Sequence, residues 1–154
     1  MWGLMPVPDL NEYGLLPQGV HDCVTAEIVG SFCVNQARSA VWHGFEGFLA
    51  WVLAKPGPVS ILLDGSFVTD KSVPGDIDVA VDISNCSIAH QNEWIIAYHR
   101  DHAQVKQRFG TDFYIVIRGA GHDFSAFFQY VRVDDALARG APNGTRKGIL
   151  RLIP

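Results

Sequence analysis

Hydrophobic positions recur along this chain with two different periods. In residues 36–54, Val41, Phe45, Phe48, Leu49 and Val52 fall at offsets of 4, 7, 8 and 11, one stripe of an amphipathic helix. Gly44 and Gly47 weaken that helix, and Pro56-Gly57-Pro58 ends it. A shorter helix is read over residues 25–34. Residues 88–108 carry another stripe through Trp94, Ile95, Tyr98, His102, Val105 and Phe109, with Gly110 as its C-terminal stop. Elsewhere the period shortens. Residues 59–63 are an almost wholly apolar run, as in a buried strand. Residues 76–81 alternate, with Ile77, Val79 and Val81 on one side and Asp76, Asp78, Ala80 and Asp82 on the other. Residues 111–117 are aromatic and β-branched and predict a third strand, and residues 147–153 a terminal one. Two readings stay open for residues 122–138: a helix begun by an Asp123 cap, or a strand over residues 127–131. Residues 1–20, interrupted by Pro and Gly, predict an extended arm whose Trp2, Leu4, Leu15 and Leu16 dock on a single domain spanning residues 1–154.

Composition narrows the class. At 154 residues with 48% apolar and 18% charged side chains, the chain resembles an ordinary globular domain. A domain of this size buries roughly 68–70% of its unfolded surface and needs no covalent staple. Cys23, Cys33 and Cys86 are odd in number and lack metal-ligand spacing, which predicts reduced thiols in a cytoplasmic protein. Residues 1–20 lack a basic leader and are broken by Pro6, Pro8 and Pro17, so no signal peptide is expected. No apolar run is long enough to span a bilayer, and no membrane partner is expected. The net charge of −4 argues against a generally basic nucleic-acid-binding surface. Between residues 64 and 82 stand five Asp and one Lys, a local imbalance as large as that of the whole chain.

That acidic stretch is where the candidate chemistry lies. Asp76 and Asp78, at i and i+2 on a strand, leave the same face, and ionised carboxylates held that close call for bound cations or a basic partner. Hard oxygen donors favour Mg2+ or Mn2+ over zinc. Gly65-Ser66, following the apolar run, supplies a turn where backbone can approach a phosphate and a hydroxyl can donate to it; a helical turn starting there would add free N–H groups. Lys71 reads equally as a phosphate contact or as a counter-charge for Asp70. Asp82 reads as a turn residue; His99 and His102, three apart on a helix, read as packing or surface residues ahead of metal ligands; and Arg146-Lys147 reads as a solvated charge pair ahead of a nucleotide contact.

These residues also carry a resemblance. Gly65-Ser66, nine intervening residues, then Asp76-Ile77-Asp78-Val79 is similar to the signature of the DNA polymerase β-like nucleotidyltransferase superfamily. The longer string GSFVTDKSVPGDIDV, with LPQGVH before it and RKGIL near the end, resembles a family of small bacterial and phage proteins assigned to that superfamily, over about residues 16–153. The resemblance implies an α+β fold, a mixed sheet flanked by helices in minimal nucleotidyltransferase form. It implies Mg2+- or Mn2+-dependent transfer of a nucleoside monophosphate from a triphosphate such as ATP, with release of pyrophosphate. Asp76 and Asp78 match the metal ligands, Gly65 and Ser66 the triphosphate turn, and Asp112, opening the third predicted strand, the third carboxylate. Asp64 departs from the pattern, which has an apolar residue there. No second domain is evident to select an acceptor, which is left open among protein, RNA and small molecule, as is a homodimer or partner protein. The alternative is a nucleotide-binding regulatory module without turnover, of the kind paired in toxin–antitoxin or phage-defence systems. A metal-dependent nuclease is a more distant third reading.

Overall fold

The computed structural model describes residues 7–121 and 123–154, so the docking expected of Trp2 and Leu4 lies outside the described residues. Its centre is a five-stranded mixed sheet built from β1 (Gly19–Cys23), β2 (Ser60–Asp64), β3 (Ile77–Asp82), β4 (Thr111–Val116) and β5 (Gly148–Leu152). The spatial order is β1-β5-β2-β3-β4. The outer pairs β1/β5 and β3/β4 are parallel, and the inner pairs β5/β2 and β2/β3 are antiparallel. The α+β architecture with a mixed sheet flanked by helices is therefore as expected.

One face of the sheet is covered by α1 (Thr25–Phe32), α2 (Gln36–Leu53) and α3 (Ile88–Phe109). Ile61, Leu63, Ile77, Val79, Val81, Phe113, Leu150 and Leu152 meet Ile28, Phe32, Trp42, Phe45, Phe48, Val52, Trp94 and Val105 in the main core. The i+2 repeat of the strands and the i+3/i+4 repeat of the helices both resolve into this one layer. Asn35 caps α2 by accepting from Arg38 N, and Ser87 caps α3 by accepting from His90 N. Gly110 closes α3 in the left-handed conformation at φ 61°. Gly47, unfavourable in a free helix, has a packing reason here. A Cβ at that position would stand 2.8 Å from the Phe109 ring, so the glycine lets the end of α3 lie against α2.

The opposite face is only partly covered. Ala80 and Ile149 on it are buried by Phe128 of α4 (Phe124–Phe128), with Leu62, Tyr114 and Phe124 packed alongside. Strands apolar on both faces explain why residues 59–63 lack alternation. Residues 122–138 resolve as two short helices, α4 and α5 (Val133–Ala138), with Asp123 capping α4 through Ser125 N and Ala126 N. The arm begins as expected, with Leu15 and Leu16 fully buried, but it gives way to β1 at Gly19. Cys23 and Cys86 are buried free thiols, and burial pushes that of Cys23 up to about 12. No helix among the described residues is long and apolar enough to cross a membrane.

Candidate active site

The candidate residues gather where β2, β3 and β4 begin or end together. The register sets Asp78 opposite Asp64 across the antiparallel pair and opposite Asp112 across the parallel pair. Partners in register project to the same face, so three carboxylates form a row across three strands. Asp78 feels this directly. Burial first, then the charges of Asp64 and Asp112, push its carboxyl up to about 6, against the pull of Lys147 and Lys106. Asp76 lies one residue before β3 and is exposed, beside Gly110. The sequence pair along one strand is thus joined by a second set of carboxylates running across the sheet.

Each end of the row carries its own cation. His102 Nε2–H donates to Asp112 Oδ1 at 2.9 Å, and Lys106 Nζ donates to Asp112 Oδ2 at 3.4 Å. The two donors are one helical turn apart on α3, which places both over the start of β4. At the other end Lys147 Nζ stands 2.7 Å from Asp64 Oδ1, with its side chain only 13% exposed. Burial raises the Asp64 carboxyl pKa despite this lysine. Lys147 arrives there because β5 starts at Gly148, next to β2, and Lys147 N is fixed by Gln129 O at 2.9 Å.

Gly65 makes the turn out of β2 at φ 91°, where a Cβ would stand 3.1 Å from Asp76 O and 3.3 Å from Asp78 N. Only glycine lets the turn press against the start of β3 this closely. A single 3-10 turn over Ser66–Val68 follows; at three residues it is too short to add a helix dipole. Ser66 Oγ accepts from Gly75 N at 3.0 Å and so ties the two ends of the loop together. Beneath the loop sits Arg38, 2% exposed, donating to the carbonyls of Phe32, Ser66, Phe67, Thr69 and Lys71. A buried guanidinium whose donors are all met by main-chain oxygens fixes the loop's course without a carboxylate partner.

A cavity of about 590 Å³ opens beside the row, bounded by Asp64, Gly65, Ser66, Lys71, Asp78 and Lys147 on one side and by α4 and α5 on the other. Lys71 is exposed on its wall, while Asp70 is paired with Arg139 Nη1 at 2.8 Å, so Lys71 is not spent on Asp70. Arg139 also donates to the carbonyls of Tyr13 and Gly14, pinning α5, the arm and the loop to one another.

Residues 8–153 match the model of DUF6932, described as a family of unknown function. The chain belongs to that family. No curated protein and no solved structure matches it. The family match covers the whole sheet, so the carboxylate row and the loop over Arg38 lie within the matched residues.

Whether these residues suit a divalent cation can be judged from the donors themselves. Among the described residues, no three His, Cys, Asp or Glu side chains gather tightly enough to enclose a metal ion. Mg2+ does not require such an enclosure; it is commonly held by one or two carboxylates plus water and substrate phosphates. Asp76 and Asp78 offer hard oxygens, and Asp78 stands in register between the carboxylates of Asp64 and Asp112, a charge that a cation would relieve. The donor set therefore fits.

Sequence reasoning missed three members of this site. Lys147, read foremost as a solvated charge, is half-buried against Asp64; His102, read as packing or surface, packs on Tyr98 and Phe113 and also holds Asp112. Lys106 was not singled out. Their signal lies in which strands are neighbours, and the linear sequence does not carry that. Two other readings are met: Asp82 ends β3 with Oδ1 accepting from Ser84 N at 2.9 Å, and His99 is exposed.

Proposed function

We propose that this chain is a Mg2+-dependent nucleotidyltransferase, moving a nucleoside monophosphate from a triphosphate to an acceptor hydroxyl. The observation that carries this reading is the register that sets Asp78 between Asp64 and Asp112, with Asp64 directly before the Gly65-Ser66 loop and Gly65 against Asp78 N. Attack by the acceptor oxygen on the α-phosphorus would form the new P–O bond as the bond to the β-phosphate oxygen breaks, releasing pyrophosphate. Gly65, Ser66, Lys71 and Lys147 would face the triphosphate. Asp76 and Asp78 would hold the cation, and Asp112, its carboxyl plane fixed by His102 and Lys106, would orient the acceptor hydroxyl and assist its deprotonation. What Mg2+ supplies when bound is neutralisation of the charge that grows on the phosphates. Replacing Asp76 and Asp78 with Asn is expected to abolish Mg2+-dependent pyrophosphate release in the presence of lysate acceptors. Unchanged turnover in that double variant would sink the assignment.

A second reading, a nucleotide-binding module without turnover, is favoured by one specific feature. Both oxygens of Asp112 are engaged by α3, and Asp64 is engaged by Lys147. Calorimetric titration with triphosphate and Mg2+, run beside the pyrophosphate assay, separates the two. Tight binding with no release under any acceptor would support the module.

A further inference from the structure

Two aromatic rings at the cavity are turned away from the core. In the run FSAFFQY, Phe128 is 3% exposed and packs on Ala80 and Ile149, and Phe124 stacks on Tyr114 with centroids 5.4 Å apart. Phe127 and Tyr130, by contrast, are 63% and 50% exposed, and both line the cavity that also contains Gly65, Ser66 and Lys147. Scattered exposed rings are ordinary; two on one wall of a cavity that also carries Asp64, Asp78, Lys71 and Lys147 are not.

Their positions are fixed from the backbone. Tyr130 forms an isolated antiparallel bridge with Arg146, and Gln129 O accepts from Lys147 N. The same backbone that carries Lys147 to Asp64 therefore holds the rings at a set distance from the carboxylates. The Arg146 guanidinium lies 6.0 Å from the Tyr130 ring centroid, a cation–π pair that helps hold the ring in place. The cavity thus has a phosphate-compatible end and an aromatic end, and its volume lies within the range of small-ligand sites.

We propose that Phe127 and Tyr130 form a stacking subsite for the planar base of the nucleotide, an assignment that rests on the reading of Gly65-Ser66 as its triphosphate turn. Stacking is tolerant of base identity, since every base has a π-face, so the subsite selects for a nucleotide over a bare polyphosphate rather than for one base.

The test compares two probes by calorimetry in the presence of Mg2+: α,β-methylene nucleoside triphosphates, which resist cleavage, and inorganic tripolyphosphate. In the Phe127→Leu/Tyr130→Leu double variant the nucleotide is expected to bind roughly tenfold more weakly or worse, from the alanine-scan scale of base–aromatic stacking, while tripolyphosphate binds as to wild type. Phe127→Trp, which keeps a ring, is expected to retain nucleotide affinity. A 2-aminopurine riboside triphosphate analogue should be quenched on binding to wild type and less so in the double variant. Undiminished nucleotide affinity in the double variant, or a parallel loss of both probes, overturns the subsite. Wild type binding neither probe overturns the triphosphate reading itself.

Discussion

Asp78 carries a stability cost at the centre of the carboxylate row. Burial and the neighbouring carboxylates push its carboxyl up to about 6 from the ordinary 3.8, so the folded state holds the proton more tightly than the unfolded chain. The sign follows: ionising Asp78 weakens the fold as pH rises from about 4 to about 6, and the penalty persists above that. The full shift converts to about 3 kcal/mol, and partial access to water reduces this to about 1–2 kcal/mol. Asp78→Asn is therefore expected to raise stability by about that amount at pH 8 and to lose the gain by pH 4, checked by urea denaturation at both values. Added Mg2+ should raise the melting temperature of wild type more than that of Asp78→Asn. Lys147→Met, which leaves Asp64 buried beside Asp78 without its ammonium, is expected to cost about 2–4 kcal/mol at pH 7, and Asp64→Asn to recover much of it in a double-mutant cycle. As candidates, Asp76, Asp78, Asp112 and the Gly65-Ser66 turn were legible in the sequence because their spacing lies along one strand or opens one. Asp64, Lys106 and Lys147 were not, because their meaning depends on neighbours across strands.

At the scale of elements, the loop following β2 depends on Gly65 and on Arg38. Gly65→Ala must place a Cβ against the main chain of residues 76–78 at a backbone angle that L residues avoid, and is expected to cost about 1–3 kcal/mol in equilibrium unfolding. Arg38→Met strands several carbonyls of residues 66–71 without donors, and a loss of about 3 kcal/mol or more is expected, with Arg38→Lys intermediate because an ammonium cannot fork among them. The long helices were readable from their stripes because each buries one face in a single core. Two elements were not. Gly19–Cys23 is a five-residue edge strand, half-buried over most of its length, and its GVHDC carries little alternation. Residues 122–138 pair a Phe-rich run, suited to either geometry, with a cap at Asp123, and the turn between α4 and α5 is set by contacts from afar: Gln129 accepts from Gly19 N through Oε1 and from Lys147 N through its carbonyl.

Across the whole molecule, the arm acts as a strap. Leu15 packs with Val131 and Ala136 in a small core of its own, and Arg139 binds the arm's carbonyls. Leu15→Ala is expected to speed amide hydrogen exchange over residues 131–139 while leaving α2 and α3 protected, since Leu15 belongs to the small core, whereas Leu16, Val7 and Leu10 tie the arm to the main one. The strand order carries a different consequence. β5 lies between β1 and β2, so the first strand joins the rest of the sheet only through the last, by pairings such as Gly19 with Gly148. Such distant pairing slows folding, because the loop between partners must close before any contact rewards it. On the ribosome, β2 and β3 can pair as soon as they emerge, and β4 can join once α3 has formed. β1 must wait until β5, its partner, has been synthesised. Lys147 enters immediately before that final strand, so the charge against Asp64 is set in the same late step, and a nascent chain carries its carboxylate row uncompensated at that end until then.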